Sequence, residues 1–130
     1  MHSYISYILD GVIKRIKPIC KNVYLKRPSA LPNQVKEMVV VSLPANFDDK
    51  YVCQTSTLRI EIITKNKGGD VPNIHGCEKL SNSITSLFPI VDPRYSITKP
   101  IVVLKGSDTL GFTIWAIQAK IMVNTTDSYK

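Results

Sequence analysis

Apolar residues near the start of the chain recur at every third or fourth position. This spacing is the helical period, and it predicts an amphipathic helix from about Ser3 to Lys17 that docks on a sheet. Pro18 ends the predicted helix, because proline cannot donate the next backbone hydrogen bond. A helix lying on a membrane surface has the same pattern, but the amount of strand in the rest of the chain favours docking. The recurring apolar positions are Ile5, Ile8, Leu9, Val12, Ile13 and Ile16.

Two apolar segments in the first half of the chain predict strands. The segment KEMVVVSLP is apolar on both faces, which is typical of a strand inside a sheet. The segment TSTLRIEIITKN alternates between apolar and polar residues, and this predicts a half-buried strand. The connection at residues 21–35 precedes both segments and carries Pro28 and Pro32, and a short edge strand near Val23 to Leu25 is compatible with its sequence. The apolar face of the alternating segment holds Leu58, Ile60 and Ile62.

The second half of the chain predicts a helix followed by a hairpin. Apolar residues at helical steps predict a helix from Ile74 to Phe88, with Asn73 as its N-cap. The segments SITKPIVVLKGSD and GFTIWAIQAKIMVN follow as strands, and their short connection predicts an antiparallel hairpin. One face of the last strand is wholly apolar and includes Trp115, the single tryptophan of the chain.

The order of the predicted elements is helix, strand, strand, helix, strand, strand. Such runs of strands predict one α+β domain over residues 1–130, since a chain of this length forms one domain. We expect a small, mainly antiparallel sheet of about four to five strands, packed against the N-terminal helix and the second helix. The residues expected to anchor its core are Trp115, Phe112, Phe88, Ile60 and Ile62.

The net charge is +7, from 17 Lys and Arg against 10 Asp and Glu, and the excess lies at the N-terminal end. Residues 1–37 carry seven basic and two acidic residues, a net charge of +5, so the remaining 93 residues share +2. A basic end favours an acidic partner, such as nucleic acid or an acidic protein face, but a merely solvated surface has the same composition. The nucleic-acid hypothesis rests on charge alone, because no helix-turn-helix or RNA-binding aromatic motif is evident.

Chemically reactive side chains are few and scattered. His75 and Cys77 are two positions apart on the predicted helix, where side chains do not face each other, and no second pair completes a zinc site. The aspartates fall in predicted loops and turns, where they usually bond their own backbone. No glycine-rich phosphate or dinucleotide motif is present. We therefore expect no enzyme activity, no cofactor and no metal.

The cysteines and the apolar segments indicate where the chain resides. Cys20, Cys53 and Cys77 are far apart and odd in number, which fits free thiols in a reducing compartment. Asp10 interrupts the apolar N-terminus and the basic residues follow it, the wrong order for a signal peptide. No segment approaches the roughly 18 apolar residues of a membrane span. We expect a chain that is neither secreted nor inserted in a membrane.

Several short segments, in their order along the chain, carry a family resemblance. They follow an N-terminal amphipathic helix and read VVVSLP, STLRIEIITKN, SLFPI and SDTLGFTIWAIQAKI. From about Ile5 to Val123 the chain resembles phage tail terminator and tail-completion (head–tail joining) proteins, as in phages and prophages of Bacteroides-type bacteria.

The resemblance implies a structural protein of the virion, made in the cytoplasm of a bacterial host. It implies a homo-oligomeric ring, commonly a hexamer, that contacts other tail or neck proteins. The implied subunit contacts lie in the loops at 45–54 and 66–73. Candidate residues for these contacts are Asp48, Asp49, Lys65, Lys67 and Asp70. Candidate residues for a surface that faces a partner or DNA are Lys14, Arg15, Lys26 and Arg27. The alternative function is a small basic nucleic-acid-binding or protein-interaction domain of unknown role.

Overall fold

A computed structural model describes residues 2–26, 36–43, 48–49, 53–68, 71–107 and 111–124 of the chain. These ranges contain two helices and seven strands. In chain order they are α1 (His2–Ile16), β1 (Val23–Tyr24), β2 (Glu37–Ser42), β3 (Asp48–Asp49), β4 (Cys53–Lys65), α2 (Ile74–Thr85), β5 (Ile90–Val91), β6 (Tyr95–Ser107) and β7 (Phe112–Asn124).

The strands form one sheet that curls into a half-barrel. Its order is β1–β2–β4–β7–β6–β5, and β3 pairs with the beginning of β4. β1 runs parallel to β2, and the other pairs are antiparallel. The central pair, β4 and β7, keeps its register from Cys53↔Asn124 to Lys65↔Phe112. These two long strands therefore form the frame on which the other elements pack.

The prediction of a small α+β sheet with about four to five strands is wrong. The structure is dominated by a seven-stranded sheet, accompanied by two helices. The strands β1, β3 and β5 contain two residues each, and two residues cannot show an alternating pattern. β3 lies in the segment 45–54, which was expected to be a loop. It pairs locally with Gln54 and Thr55, but it is too short to show a strand pattern in the sequence.

Both helices pack on one face of the sheet, which we call the covered face. α1 and α2 start and end close to the predicted limits, and the Asn73 side chain caps α2 by accepting from the Gly76 backbone N–H at 3.0 Å. Neither helix of the described segments is long and apolar enough to cross a bilayer. The helices bury Ile8, Val12, Ile16, Cys77, Leu80 and Ile84 against the sheet.

The opposite face of the sheet carries a second, smaller apolar cluster. Met38 and Val40 of β2 pack there with Ile63 of β4 and Phe112 of β7. The neighbouring residues of β2 in the alternation point to the covered face, which explains why this strand is apolar on both faces. Farther along this opposite face, Lys120 is exposed.

Candidate assembly and partner-binding surfaces

The basic residues of the N-terminal segment are not all exposed to solvent. Lys14 and Arg15 lie in the last turn of α1, and Lys14 is exposed. Arg15 is half-buried, and its Nη1 donates to the Gly11 carbonyl oxygen at 3.0 Å and to the Tyr95 hydroxyl at 3.5 Å. Lys26 is exposed after β1, and Arg27 lies outside the described residues. Arg15 therefore joins α1 to β6, while Lys14 and Lys26 remain exposed.

Aromatic and charged side chains join α1 to the turn before β6. The Tyr7 hydroxyl donates to Asp92 Oδ2 at 2.9 Å, and the Tyr7 ring meets the Tyr95 ring edge to face at 5.8 Å. The Arg94 guanidinium lies 5.3 Å from the centre of the Tyr7 ring. The hydrogen bond to Asp92 raises the pKa of Tyr7, because it stabilises the protonated hydroxyl. The arrangement fixes the position of α1.

Sequence reasoning missed this contact, although one residue indicates it. Gly11 lies in the middle of α1, where glycine costs about 1 kcal/mol relative to alanine. A Cβ atom at this position would meet the Tyr95 hydroxyl, so the glycine permits the close approach of helix and strand. A glycine inside an apolar helical pattern is therefore the sequence feature that could have indicated this close contact of α1 with β6.

Two described thiols are buried and poorly suited to chemistry. Burial raises the pKa of both Cys20 and Cys77, and the thiolate is the reactive form. Cys77 Sγ lies 3.1 Å from the Thr64 hydroxyl and 3.7 Å from the Thr113 carbonyl oxygen. His75 is exposed in the first turn of α2. Over the described ranges, no three His, Cys, Asp or Glu residues are grouped to hold a metal ion.

The residues proposed for subunit contacts do not form one surface. Asp48 and Asp49 form β3, which pairs with the start of β4. Lys65 is the last residue of β4, and Lys67 follows it, exposed. Because roughly ten strand residues separate the two groups, they lie about 30 Å apart along the strand. Asp70 lies outside the described residues.

The residues expected to anchor the core are divided between the two faces of the sheet. Ile60 and Ile62 are buried under the helices, and Phe88 packs half-buried against the same cluster. Trp115 lies in this cluster and remains 8% exposed. Phe112 belongs instead to the small cluster on the opposite face. The main core is therefore chiefly aliphatic, and Trp115 lies at its margin.

The side of β6 that faces away from β7 is open along most of its length. β5 pairs with this side only at Ser96 and Ile97. No other strand in the described part of the chain pairs with Lys99–Ser107 on this side, which we call the β6 edge. Ile101, Val102 and Val103 are 58%, 37% and 44% exposed there. An exposed apolar strand edge is a template for pairing with another chain.

A groove of about 420 Å³ opens beside the end of the β6 edge. It lies between the first turn of α2 and the ends of β6 and β7, and its lining includes Ile74, Lys105 and Trp115. The Lys105 ammonium is 4.7 Å from the centre of the Trp115 ring, a cation–π contact. Ile74 is 56% exposed at the rim. Glu78 also lines the groove, so the groove adds an apolar surface with one charge of each sign beside the open strand.

No protein-family model matches the chain, and no curated protein matches its sequence. The fold is similar to that of solved structures. One protein whose name states no function aligns with a TM-score of 0.62 and 9% identity, over 90% of this chain and 93% of its own. A chain in the virion of a native gene transfer agent particle aligns with a TM-score of 0.53 and 11% identity, over 85% of this chain and 84% of its own. At these identities, the likeness is one of fold.

Proposed function

We propose that this chain is a structural protein of a phage-like particle, and that it forms a ring of the tail terminator or head–tail joining type. The observation that carries the proposal is the fold shared with a chain of a gene transfer agent virion over 85% of this chain. The resemblance of the sequence segments to tail terminator proteins supports the same function. In this role the chain works in the host cytoplasm during assembly and then in the virion.

In this proposal the chain functions by binding other proteins and does not catalyse a reaction. The described thiols are buried and held in their protonated form, and the Tyr7 hydroxyl is engaged with Asp92. The exposed apolar residues of the β6 edge, by contrast, are available for association. The partners are further copies of the chain and the neighbouring tail or neck proteins.

The ring is tested by the molar mass in solution. We expect light scattering over a concentration series, at low and moderate salt, to show a closed oligomer of fixed mass with about six subunits. Negative-stain electron microscopy should show rings of the same size. A monomer at every concentration contradicts the proposal, and so does a mass that grows without limit, since an open contact forms filaments instead of rings.

A nucleic-acid-binding role is the second candidate, and the exposed lysines of the N-terminal segment favour it. Lys14, Lys17, Lys21 and Lys26 are exposed around the end of α1 and β1. If they contact phosphates, affinity for duplex DNA should fall steeply with salt, and Lys14→Glu with Lys17→Glu should reduce the salt dependence. Fluorescence anisotropy measures both, with Lys120→Glu as the matched control. Binding that does not depend on salt, or is unaffected by these substitutions, removes this candidate.

A further inference from the structure

We propose that the groove between α2 and β6 is a self-association site. A second copy of the chain docks there by a two-fold contact, which pairs Lys105 of each copy with Glu78 of the other. This inference goes beyond the proposed ring, because a two-fold contact closes at two subunits. A closed ring then consists of such pairs, joined to each other through a different surface.

Exposed apolar residues are concentrated around this groove. Nine large apolar residues of the described part of the chain are exposed, and five of them lie on the β6 edge or in the segment that enters α2. Ile101–Val103 belong to the β6 edge, Ile74 lines the groove, and Val71 precedes Pro72, which also lines it. Such a patch, bordered by charged groups, is typical of a protein–protein contact. This corner is therefore the described surface best suited to association.

The groove carries one charge of each sign, and the two charges lie on opposite walls. Lys105 belongs to β6 and Glu78 belongs to α2, and both side chains are exposed. The one ion pair among the described residues joins Arg59 to Glu61, so neither wall of the groove has an ionic partner there. The Lys105 ammonium lies instead over the Trp115 ring. Both charges are therefore available to a docking molecule.

A surface with these two charges is complementary to itself. In a two-fold contact, whenever one residue meets a second residue of the other copy, the reverse contact forms as well. Facing Lys105 with Glu78 of the other copy therefore makes two opposite-charge pairs, with the apolar residues of the corner between them. A different partner would have to supply an acidic and a basic group at matching positions, whereas a second copy has both by symmetry.

The contact does not require a regular ladder of hydrogen bonds between two β6 strands. Pro100 lacks a backbone N–H, and two register shifts between Thr98 and Leu104 interrupt the regularity of β6. Proline and bulges are features by which proteins prevent indiscriminate strand pairing. The exposed side chains of Val102 and Val103 remain as an apolar surface that the second copy covers, and this cover also shields the neighbouring backbone amides from water.

A charge-swap experiment tests the contact. Lys105→Glu leaves two acidic groups in the groove and Glu78→Lys leaves two basic groups, so each variant alone brings like charges together. We expect each to raise the concentration needed for association by at least about tenfold, measured by sedimentation velocity. An equimolar mixture should associate like the wild type, because the two variants offer each other opposite charges. The double variant, Lys105→Glu with Glu78→Lys, should also recover, because exchanging the two signs restores self-complementarity.

Lys120→Glu and Asp10→Lys are the matched controls, because they make the same changes of charge at exposed positions that do not line the groove. Both should associate like the wild type. Circular dichroism checks that each variant is folded. If a charge reversal unfolds the chain, Lys105→Gln or Glu78→Gln replaces it, and it should raise the concentration needed for association by a smaller factor.

The outcomes separate this contact from the ring. If each single variant associates as well as the wild type, or if the mixture and the double variant do not recover, the contact is overturned, while a ring formed by the wild type still stands. If the wild type stops at a dimer that responds to the swap as expected, the contact stands and the ring is overturned. A wild type that is monomeric at every concentration overturns both. Weaker association of each single variant, with recovery in the mixture and the double variant, supports the contact.

Discussion

Two apolar segments of similar composition have opposite environments in this molecule. Met38–Val41 in β2 is at most 5% exposed at every residue, whereas Ile101–Val103 in β6 is between 37% and 58% exposed. β2 lies between β1 and β4, and its alternate residues enter the two apolar clusters on the two faces of the sheet. β6 is paired with β7 on one side, and none of the described strands pairs with its other side beyond Ile97.

The difference shows that position in the sheet decides what an apolar segment does. In β2 the apolar side chains stabilise the fold of the single chain. In β6 similar side chains lie at a margin, where they cost solubility unless another chain covers them. We therefore assign the first segment to stability and the second to assembly, and this assignment can be tested by the same substitution at both places.

The largest expected effect on stability comes from Val39→Ala, compared with Val103→Ala. Val39 is fully buried, so losing two methyl groups should lower the free energy of unfolding by about 2 kcal/mol. Val103 is 44% exposed, so the same change should cost less than about 0.5 kcal/mol in the monomer. Urea unfolding of both variants measures the two costs. Equal costs would contradict the assignment.

The next effect concerns Thr113, which anchors the start of α2 to the sheet. Its hydroxyl accepts from the Asn73 backbone N–H at 2.9 Å and donates to Asn66 Oδ1 at 2.6 Å. Thr113→Val removes both bonds, and because the partners Asn73 and Asn66 are only half-buried, it should lower the free energy of unfolding by about 1 kcal/mol. Thr113→Ser keeps the hydroxyl and is the control. If Thr113→Val costs no more than Thr113→Ser, the hydroxyl is not the anchor.

The smallest effect is the pH dependence that Cys77 contributes on the covered face. Burial raises the pKa of this thiol above its ordinary value of 9.0. As the pH rises, the thiol of the unfolded chain therefore loses its proton first, and the free energy of unfolding falls between that pKa and the higher pKa of the folded state. Urea unfolding at neutral pH and above pH 9 should show a smaller decrease for Cys77→Ala than for the wild type. An equal decrease would show that the thiol contributes nothing.

The long elements were predictable because each has its own local period. The helical spacing of Ile8, Val12 and Ile16 and the alternation of Leu58, Ile60 and Ile62 reappear as the buried positions of α1 and β4. Of the two-residue strands, β1 at Val23–Tyr24 confirms the short edge strand expected near Val23 to Leu25. β3 and β5 were missed because two residues are too few to show an alternating pattern, although each pairs with residues only five to seven positions farther along the chain. For the same reason the size of the sheet was underestimated.

The candidate surfaces were less predictable than the core. Hydropathy alone predicts that the residues around Val103 are buried. The sequence does not show that none of the described strands pairs with the outer side of β6 at this point. The contact of Arg15 with Tyr95 is likewise invisible in the sequence, since 80 residues separate the two. The net charge can be counted from the sequence, but the position of each charged residue relative to the sheet depends on the topology.

Amide hydrogen exchange along β6 tests most directly whether its open edge is the assembly surface. The measurement follows exchange at Ile101–Ser107 and in β7 while the protein concentration is raised through the range of assembly. We expect the outward-facing amides of β6 to exchange rapidly in the monomer and to become protected as the oligomer forms, with the amides of β7 protected throughout. An oligomer that forms while the β6 amides keep exchanging at the monomer rate would contradict the role of this edge.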